Sequence, residues 1–163
     1  MFQSQAYTGT KKENYQLVAK QLSALIEGEK NMIANLSNAA ALLSYFLDQV
    51  NWVGFYLVDG DELILGPFQG LPACVRIPIG KGVCGTAALR RTTINVADVH
   101  QFPGHIACDA ASQSEIVIPL VKEDKIIGVL DIDSPIKNRF DDTDAQMLEV
   151  FVKVLMNGLE EDC

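Results

Sequence analysis

Two apolar segments, each divided by a short turn sequence, limit the folds that this chain can adopt. The first joins NWVGFYLV (51–58) to ELILGPFQ (62–69) through Asp59-Gly60, a dipeptide suited to the positive φ angles of a tight turn. The second joins residues 114–121 to residues 126–134, and both halves are rich in β-branched side chains. Strands joined by such short turns pair antiparallel, so the sequence predicts a mainly antiparallel sheet.

Helices are predicted near both ends of the chain. Thr10 is suited to cap a helix that ends near Gly28, Asn31 to cap a second helix that reaches Leu47, and Asp141 to cap the last one. We therefore expect the α+β class, with a central antiparallel sheet, N- and C-terminal helices packed on one face, and ligand-covering loops on the other. Shorter elements are expected as strands at 74–79 and 93–96, a helix at 85–91 and an ordered loop at 98–112.

Length and charge narrow the domain count and the classes of partner. A chain of 163 residues with 48% apolar content is expected to form one domain, residues 1–163, whose core needs no metal or disulfide. The net charge of −8 argues against nucleic acid and against an anionic membrane surface. Residues 1–16 lack the pattern of a signal peptide, so we expect a cytoplasmic protein with reduced thiols. The sequence leaves a homodimer open.

Three of the four cysteines lie in segments punctuated by glycine or proline. Cys74, Cys84 and Cys108 occur in LPACVRIP, GKGVCGT and FPGHIACDAASQSE. Backbone in such segments can expose a side chain, whereas structural cysteines usually lie inside apolar periodic stretches. The first hypothesis is therefore a cysteine-based redox enzyme. Cys163, outside these motifs, is predicted to be an exposed terminal thiol.

Three acidic residues are predicted to share one face of the second hairpin. Asp131 and Asp133 are two residues apart in a strand and must project from the same face. A three-residue loop that pairs Lys122 with Ile126 would place Glu115 opposite Asp133, whereas a two-residue turn would split the cluster. Crowded carboxylates raise one another's pKa, so one of them could serve as a general acid. The competing interpretation is a solvated sheet face.

Four sequence motifs of this chain resemble those of a known protein family. The strings GPFQGLPACVRIP, GKGVCGTAA, DVHQFPGHIACDAASQSEIVIP and GVLDIDSP resemble the free methionine-(R)-sulfoxide reductases, which are single-domain proteins of the GAF fold. The resemblance runs from residue 51 to residue 139 and onward, and generic GAF sensor domains lack these thiols. It implies reduction of free L-methionine-(R)-sulfoxide to L-methionine, with thioredoxin as the reductant and with no cofactor.

The resemblance also implies roles for the cysteines. Cys108 is expected to attack the sulfoxide sulfur and to become a sulfenic acid, which a second thiol converts to a disulfide. Cys84 is the first choice for that second thiol because it is predicted to lie in a mobile, glycine-rich turn before a helix N-terminus. Cys74 is the alternative, and an exchange of roles between Cys84 and Cys108 stays open.

The remaining site residues are assigned in the same way. Glu115, Asp131 and Asp133 are expected to polarise the S=O bond and to hold the substrate ammonium. Trp52 and Tyr56, four residues apart in a strand, are expected around the substrate methyl group and chain, with core packing as the alternative for Tyr56.

Two other interpretations of these motifs are weaker. GKGVCGT lacks the spacing of a phosphate-binding loop, and His100 and His105 with Cys84 and Cys108 do not form a common zinc spacing, so no metal is expected. The competing function is a GAF-type sensor that binds a small molecule without catalysis. The chain ends at Cys163 soon after its last predicted helix, with no output domain, which favours the enzyme.

Overall fold

A six-stranded antiparallel sheet organises the computed structural model, which describes residues 1–106 and 108–159. The strand order is β3-β2-β1-β6-β5-β4, and every neighbouring pair is antiparallel. The strands are β1 (Trp52–Asp59), β2 (Glu62–Gln69), β3 (Arg76–Pro78), β4 (Ile94–Val96), β5 (Ser114–Lys122) and β6 (Lys125–Ser134). The helices of the described ranges are α1 (Lys11–Ile26), α2 (Met32–Phe46), α3 (Gly82–Arg90) and α4 (Asp142–Gly158). The predicted α+β class is confirmed.

The three long helices begin at the caps that the sequence predicts. The side chains of Thr10 and Asn31 accept hydrogen bonds from backbone amides three residues later. Asp141 forms a reciprocal capping box with Asp144 at the start of α4. None of the helices in the described part of the chain combines the length and the hydropathy that a bilayer-spanning segment requires.

The two faces of the sheet are packed differently. On one face α1, α2 and α4 cover apolar side chains of β1, β5 and β6, among them Phe55, Ile118 and Leu130, and close a core around them. On the other face α3 and the connecting segments cover a smaller cluster that contains Trp52 and Val117. The N- and C-terminal helices therefore seal one face, and loops cover the other, as predicted.

A buried carboxylate ties the two ends of the chain together. Asp144, fully buried at the start of α4, accepts hydrogen bonds from the Tyr15 hydroxyl (2.5 Å) and from the Lys11 ammonium (2.7 Å). The Arg139 guanidinium contacts the same carboxylate at 3.4 Å. Because both oxygens of Asp144 have charged or hydroxyl donors, its burial is compensated, and α1 is fixed against α4.

The turn between β5 and β6 differs from its prediction. The turn contains only Glu123 and Asp124, both with positive φ, and Lys122 pairs with Lys125, so the predicted three-residue loop is wrong. A bulge between Leu120 and Val121 then shifts the register by one residue.

The bulge restores the pairing that the sequence predicts for the acidic residues. Glu115 lies opposite Asp133, and Val117 lies opposite Asp131. The three-residue loop would have placed Ile126 on the face of Ile118 and Leu130. In the structure Ile126 lies on the opposite face. The functional half of the hairpin is thus in the predicted register, although its turn is not.

Substitution of Gly85 in α3 should destabilise the protein, although alanine usually stabilises a helix interior by about 0.5–1 kcal/mol relative to glycine. A Cβ at Gly85 would lie 2.5 Å from the Pro78 carbonyl oxygen and 3.0 Å from the Gly80 amide nitrogen, so the backbone would have to move. We expect Gly85→Ala to lower the free energy of unfolding by about 1–3 kcal/mol in urea denaturation.

The matched control is Gly60→Ala in the β1–β2 turn, where nothing lies within 4 Å of an added Cβ and φ is +64°. It should cost only the left-handed backbone penalty of about 1–2 kcal/mol and should leave the accessibility of Cys84 to thiol reagents unchanged. A stabilised Gly85→Ala protein would contradict the close approach of α3 to the segment that precedes it.

Candidate active site

A pocket opens on the second face of the sheet, at the edge of the smaller apolar cluster. Residues from β1, β3, α3, β5, β6 and from the segments after β2, before α3 and before β5 line it. Seven of the eight predicted site residues line this pocket, and the eighth, Cys74, does not. The lining residues are Trp52, Tyr56, Pro72, Ala73, Ile77, Lys81, Gly82, Val83, Cys84, His105, Ile106, Cys108, Asp109, Ser112, Glu115, Asp131 and Asp133.

Three carboxyl groups lie together along β5 and β6 in this pocket. Glu115, Asp131 and Asp133 keep 7%, 6% and 9% of their surface exposed, which rules out the solvated sheet face that competed with the cluster. One oxygen of Asp131 and one of Asp133, Oδ1 in each case, has no hydrogen-bond partner. The pocket therefore contains buried acceptor atoms that lack donors.

Burial shifts the acid–base properties of all three groups. Desolvation, reinforced by the negative charges of Asp131 and Asp133, raises the pKa of Glu115 well above its ordinary value. Burial likewise raises the pKa of Asp131, and it raises that of Asp133 to about 6. A hydrogen bond between the Glu115 and Asp133 carboxyls raises the pKa of Glu115 and lowers that of Asp133, so Glu115 is the proton donor of this pair.

Two aromatic rings of β1 form a wall of the pocket. The Trp52 ring stacks against Tyr56 at 5.8 Å and against Phe68 at 5.2 Å between ring centroids. Gly54 makes this stack feasible, because a Cβ at that position would lie 2.6 Å from the indole ring. Trp52 and Tyr56 are both buried, and both line the pocket. Tyr56 therefore packs in the apolar cluster and lines the pocket at the same time.

The same two aromatic residues hold the segment that follows β2. The Trp52 indole N–H donates to the Leu71 carbonyl oxygen at 3.1 Å, and the Tyr56 hydroxyl donates to the Cys74 carbonyl oxygen at 2.8 Å. The backbone of Cys74 is therefore fixed relative to β1. No local pattern in the sequence indicates this contact.

Cys74 and Cys108 form a disulfide. Their Cα atoms are 5.5 Å apart although 34 residues separate them in the chain. The bond joins the segment after β2 to the loop before β5, and both cysteines are half-buried. The structure thus pairs Cys108 with Cys74, which the sequence analysis names as the alternative, rather than with Cys84.

Cys84 has a different environment from the one predicted. Helix α3 begins at Gly82 rather than at residue 85, so Cys84 lies within the first turn of the helix, and it is a free, buried thiol with 5% exposure. Burial raises the pKa of this thiol well above its ordinary value, and the negative charges of Asp131 and Glu115 raise it further. The prediction of a mobile turn that favours a reactive Cys84 thiolate is wrong. Cys163 lies outside the described residues.

Asn51, which the sequence analysis did not select, fixes the loop that contains Cys108. Its Nδ2 donates to Asp109 Oδ2 at 2.9 Å and to Ser112 Oγ at 3.2 Å. Because Asn51 directly precedes β1, these bonds attach the loop to the same strand that forms the aromatic wall. The one sequence feature that could indicate this role of Asn51 is its position beside Trp52, at the start of an apolar strand.

Comparison with known proteins places this chain in a described family. Residues 31–159 match the GAF domain family. The free methionine-R-sulfoxide reductase of Escherichia coli (strain K12) is 54% identical over 145 residues, which are 89% of this chain and 88% of that protein. The structure of fRMsr of Staphylococcus aureus in complex with substrate is 62% identical, with a TM-score of 0.87, over 96% of this chain and 100% of that one. Free methionine-R-sulfoxide reductase from Neisseria meningitidis, also in complex with its substrate, is 44% identical with a TM-score of 0.92, over 97% and 95% of the two chains.

Asp133→Asn should stabilise the protein selectively at neutral pH. The folded-state pKa of Asp133 is raised to about 6 from 3.8, so the folded protein binds the extra proton and loses stability as pH rises through this range. Removal of the charge should raise the free energy of unfolding at pH 7.5, relative to its effect at pH 4, by up to about 3 kcal/mol. Urea denaturation at both values measures the difference.

Asp61→Asn, in the exposed turn between β1 and β2, is the control and should have nearly the same effect at both pH values. An Asp133→Asn effect that is equally independent of pH would show that the carboxyl group is not desolvated.

Proposed function

The chain belongs to the free methionine-(R)-sulfoxide reductases of the GAF domain family, and from this membership we propose that it reduces free L-methionine-(R)-sulfoxide to L-methionine. The observation that carries the proposal is the position of Cys108 at a pocket that also contains three buried carboxyl groups. Sulfoxide reduction needs this combination, because a thiolate must attack sulfur while an acid assists the departing oxygen. We also propose that residues 1–163 form a single GAF domain.

The pocket chemistry favours a free amino acid over a methionine residue within a protein. An α-ammonium group offers three donors and a positive charge, which match the unpartnered oxygens of Asp131 and Asp133. A residue inside a polypeptide has an amide in place of this ammonium and would leave the carboxylates uncompensated. Trp52 and Tyr56, which both line the pocket, provide an apolar surface for the methylsulfinyl end.

The first chemical step transfers oxygen from the substrate to the enzyme. The Cys108 thiolate attacks the sulfoxide sulfur, and a carboxylic acid of the Glu115–Asp133 pair donates a proton to the oxygen. The hydroxyl group then transfers from the substrate sulfur to the Cys108 sulfur, as the bond between the two sulfurs and the original S–O bond both break. The products are methionine and a sulfenic acid on Cys108, so the substrate sulfur is reduced and the enzyme sulfur is oxidised. The raised pKa of Glu115 supports its role as the acid near neutral pH.

The second step forms the disulfide and releases the oxygen as water. The Cys74 thiol attacks the sulfenic sulfur of Cys108, and the hydroxyl group leaves with one proton. The disulfide between these residues supports Cys74 as the second thiol, whereas Cys84 is buried and its thiol pKa is raised. We propose that a thioredoxin in the cytoplasm then reduces this half-buried disulfide and is itself oxidised.

A sensor function, in which the GAF pocket binds a ligand without turnover, is the alternative. Ligand binding alone requires neither a thiol at the pocket nor a second thiol within bonding distance of it. Catalytic release of methionine from the R diastereomer in the presence of a dithiol reductant would exclude a pure sensor. Formation of no methionine from either diastereomer would exclude the enzyme.

Single-turnover experiments should distinguish the roles of the three cysteines. We expect Cys108→Ser to release no methionine, because serine supplies no thiolate at neutral pH. Cys74→Ser should release about one methionine per chain, accumulate a sulfenic acid that dimedone traps at Cys108, and lose turnover with thioredoxin. Cys84→Ser should still form the Cys74–Cys108 disulfide.

Cys163→Ser is the matched control and should behave like the parent chain. Release of methionine by Cys108→Ser, together with its loss in Cys84→Ser, would move the attack to Cys84 and would contradict the assignment.

Blocking the substrate ammonium should abolish most of the activity. We expect N-acetyl-methionine-(R)-sulfoxide to have a kcat/KM at least about 10²-fold below that of the free amino acid, since the acetylated nitrogen carries no charge and leaves Asp131 and Asp133 unpaired. Methionine release measured by chromatography gives this ratio. The methyl ester, which keeps the ammonium and loses the carboxylate, is the control and should retain more activity than the acetylated compound. Equal rates for the free and acetylated substrates would show that the carboxylates do not bind the ammonium.

A further inference from the structure

One thiol of the pocket has no role in the proposed reaction. Cys84 is a free thiol on α3, and its sulfur lies beside the carboxyl groups of Glu115 and Asp131. One potential ligand atom from each of these three residues lies within 4.8 Å of the other two, and all three residues are buried. Among the described residues, this is the group of three whose histidine, cysteine or carboxylate atoms approach closely enough to share a metal ion.

The distances between these three ligand atoms are close to those between the ligand atoms of a bound metal ion. With Zn–S near 2.3 Å and Zn–O near 2.0–2.2 Å, neighbouring ligand atoms of a tetrahedral zinc are roughly 3.5 Å apart. The Cys84, Glu115 and Asp131 atoms would need to close by little more than about 1 Å, which side-chain rotation can supply. One sulfur and two oxygens leave a fourth position for water.

A second observation points to a cation. Asp133, which is nine-tenths buried and is not one of the three ligands, lines the same pocket and has an oxygen without a hydrogen-bond partner. One oxygen of Asp131, which is one of the three ligands, also lacks a partner. A divalent cation would compensate several of these groups at once, because its charge attracts the carboxylates and displaces the thiol proton to solvent.

We propose that the floor of the pocket binds a thiophilic divalent cation of the Zn²⁺ class through the Cys84 thiolate and the carboxylates of Glu115 and Asp131. The mixed sulfur and oxygen donor set favours Zn²⁺ or Cd²⁺ over Mg²⁺ and Ca²⁺, which prefer oxygen ligands alone. This site differs from the histidine-containing combination that the sequence spacing argued against. Since the ion would bind Asp131, which is also proposed to hold the substrate ammonium, it would compete with substrate, a consequence that rests on the proposed function.

The test uses the full chain with the Cys74–Cys108 disulfide formed, in a Cys163→Ser background, so that Cys84 is the only thiol. Titration with Cd²⁺, followed by its ultraviolet sulfur-to-metal charge-transfer band, should saturate at one ion per chain, and Zn²⁺ should remove the band by displacement. Neither sulfoxide nor reductant is present, so the outcome does not depend on whether the chain is a reductase.

Two kinds of variant identify the ligands. Cys84→Ala should abolish the band, and Glu115→Gln and Asp131→Asn, which keep the thiol, should each weaken Cd²⁺ binding by at least about tenfold. The exposed carboxylate variant Asp61→Asn is the control and should bind as the parent chain does. Absence of the band from the parent chain, or unchanged affinity in both carboxylate variants, would overturn the proposal.

Discussion

Burial of three carboxyl groups on one face of an antiparallel sheet is the constraint around which the molecule is organised. Glu115, Asp131 and Asp133 are each more than nine-tenths covered, and charged carboxylates in such an environment are costly. Because burial disfavours the charged form, it raises the pKa of all three groups, and the protonated form lowers this cost. The opposite face, covered by α1, α2 and α4, is packed with buried apolar side chains, whose burial stabilises the fold.

Strand β1 connects the pocket to the two segments that contain the disulfide. Asn51, just before the strand, holds the loop of Cys108 through Asp109 and Ser112, and the Tyr56 hydroxyl holds the Cys74 carbonyl. The residues that shape the pocket therefore also determine where the two cysteines lie. These contacts hold the two segments where the Cys74–Cys108 disulfide joins them.

The sequence could predict those features that short-range signals specify. Caps at Thr10, Asn31 and Asp141 defined the long helices, and the apolar pattern of β5 and β6 fixed the face shared by the carboxyl groups. The turn between these strands was predicted one residue too long, and an unpredicted bulge compensated for it, because burial of the apolar face determines register more strongly than turn length does.

The errors that affect the cysteines concern tertiary contacts. Glycines around Cys84 suggested a mobile turn, yet Gly85 instead permits α3 to pack against the Pro78 carbonyl, which places Cys84 inside a buried helix. The pairing of Cys74 with Cys108 depends on two segments that meet only when the sheet is complete, and no local pattern encodes it. The structure therefore divides the thiols: Cys74 and Cys108 on irregular segments are half-buried, whereas Cys84 on regular structure is buried beside the carboxyl groups, which raise its thiol pKa.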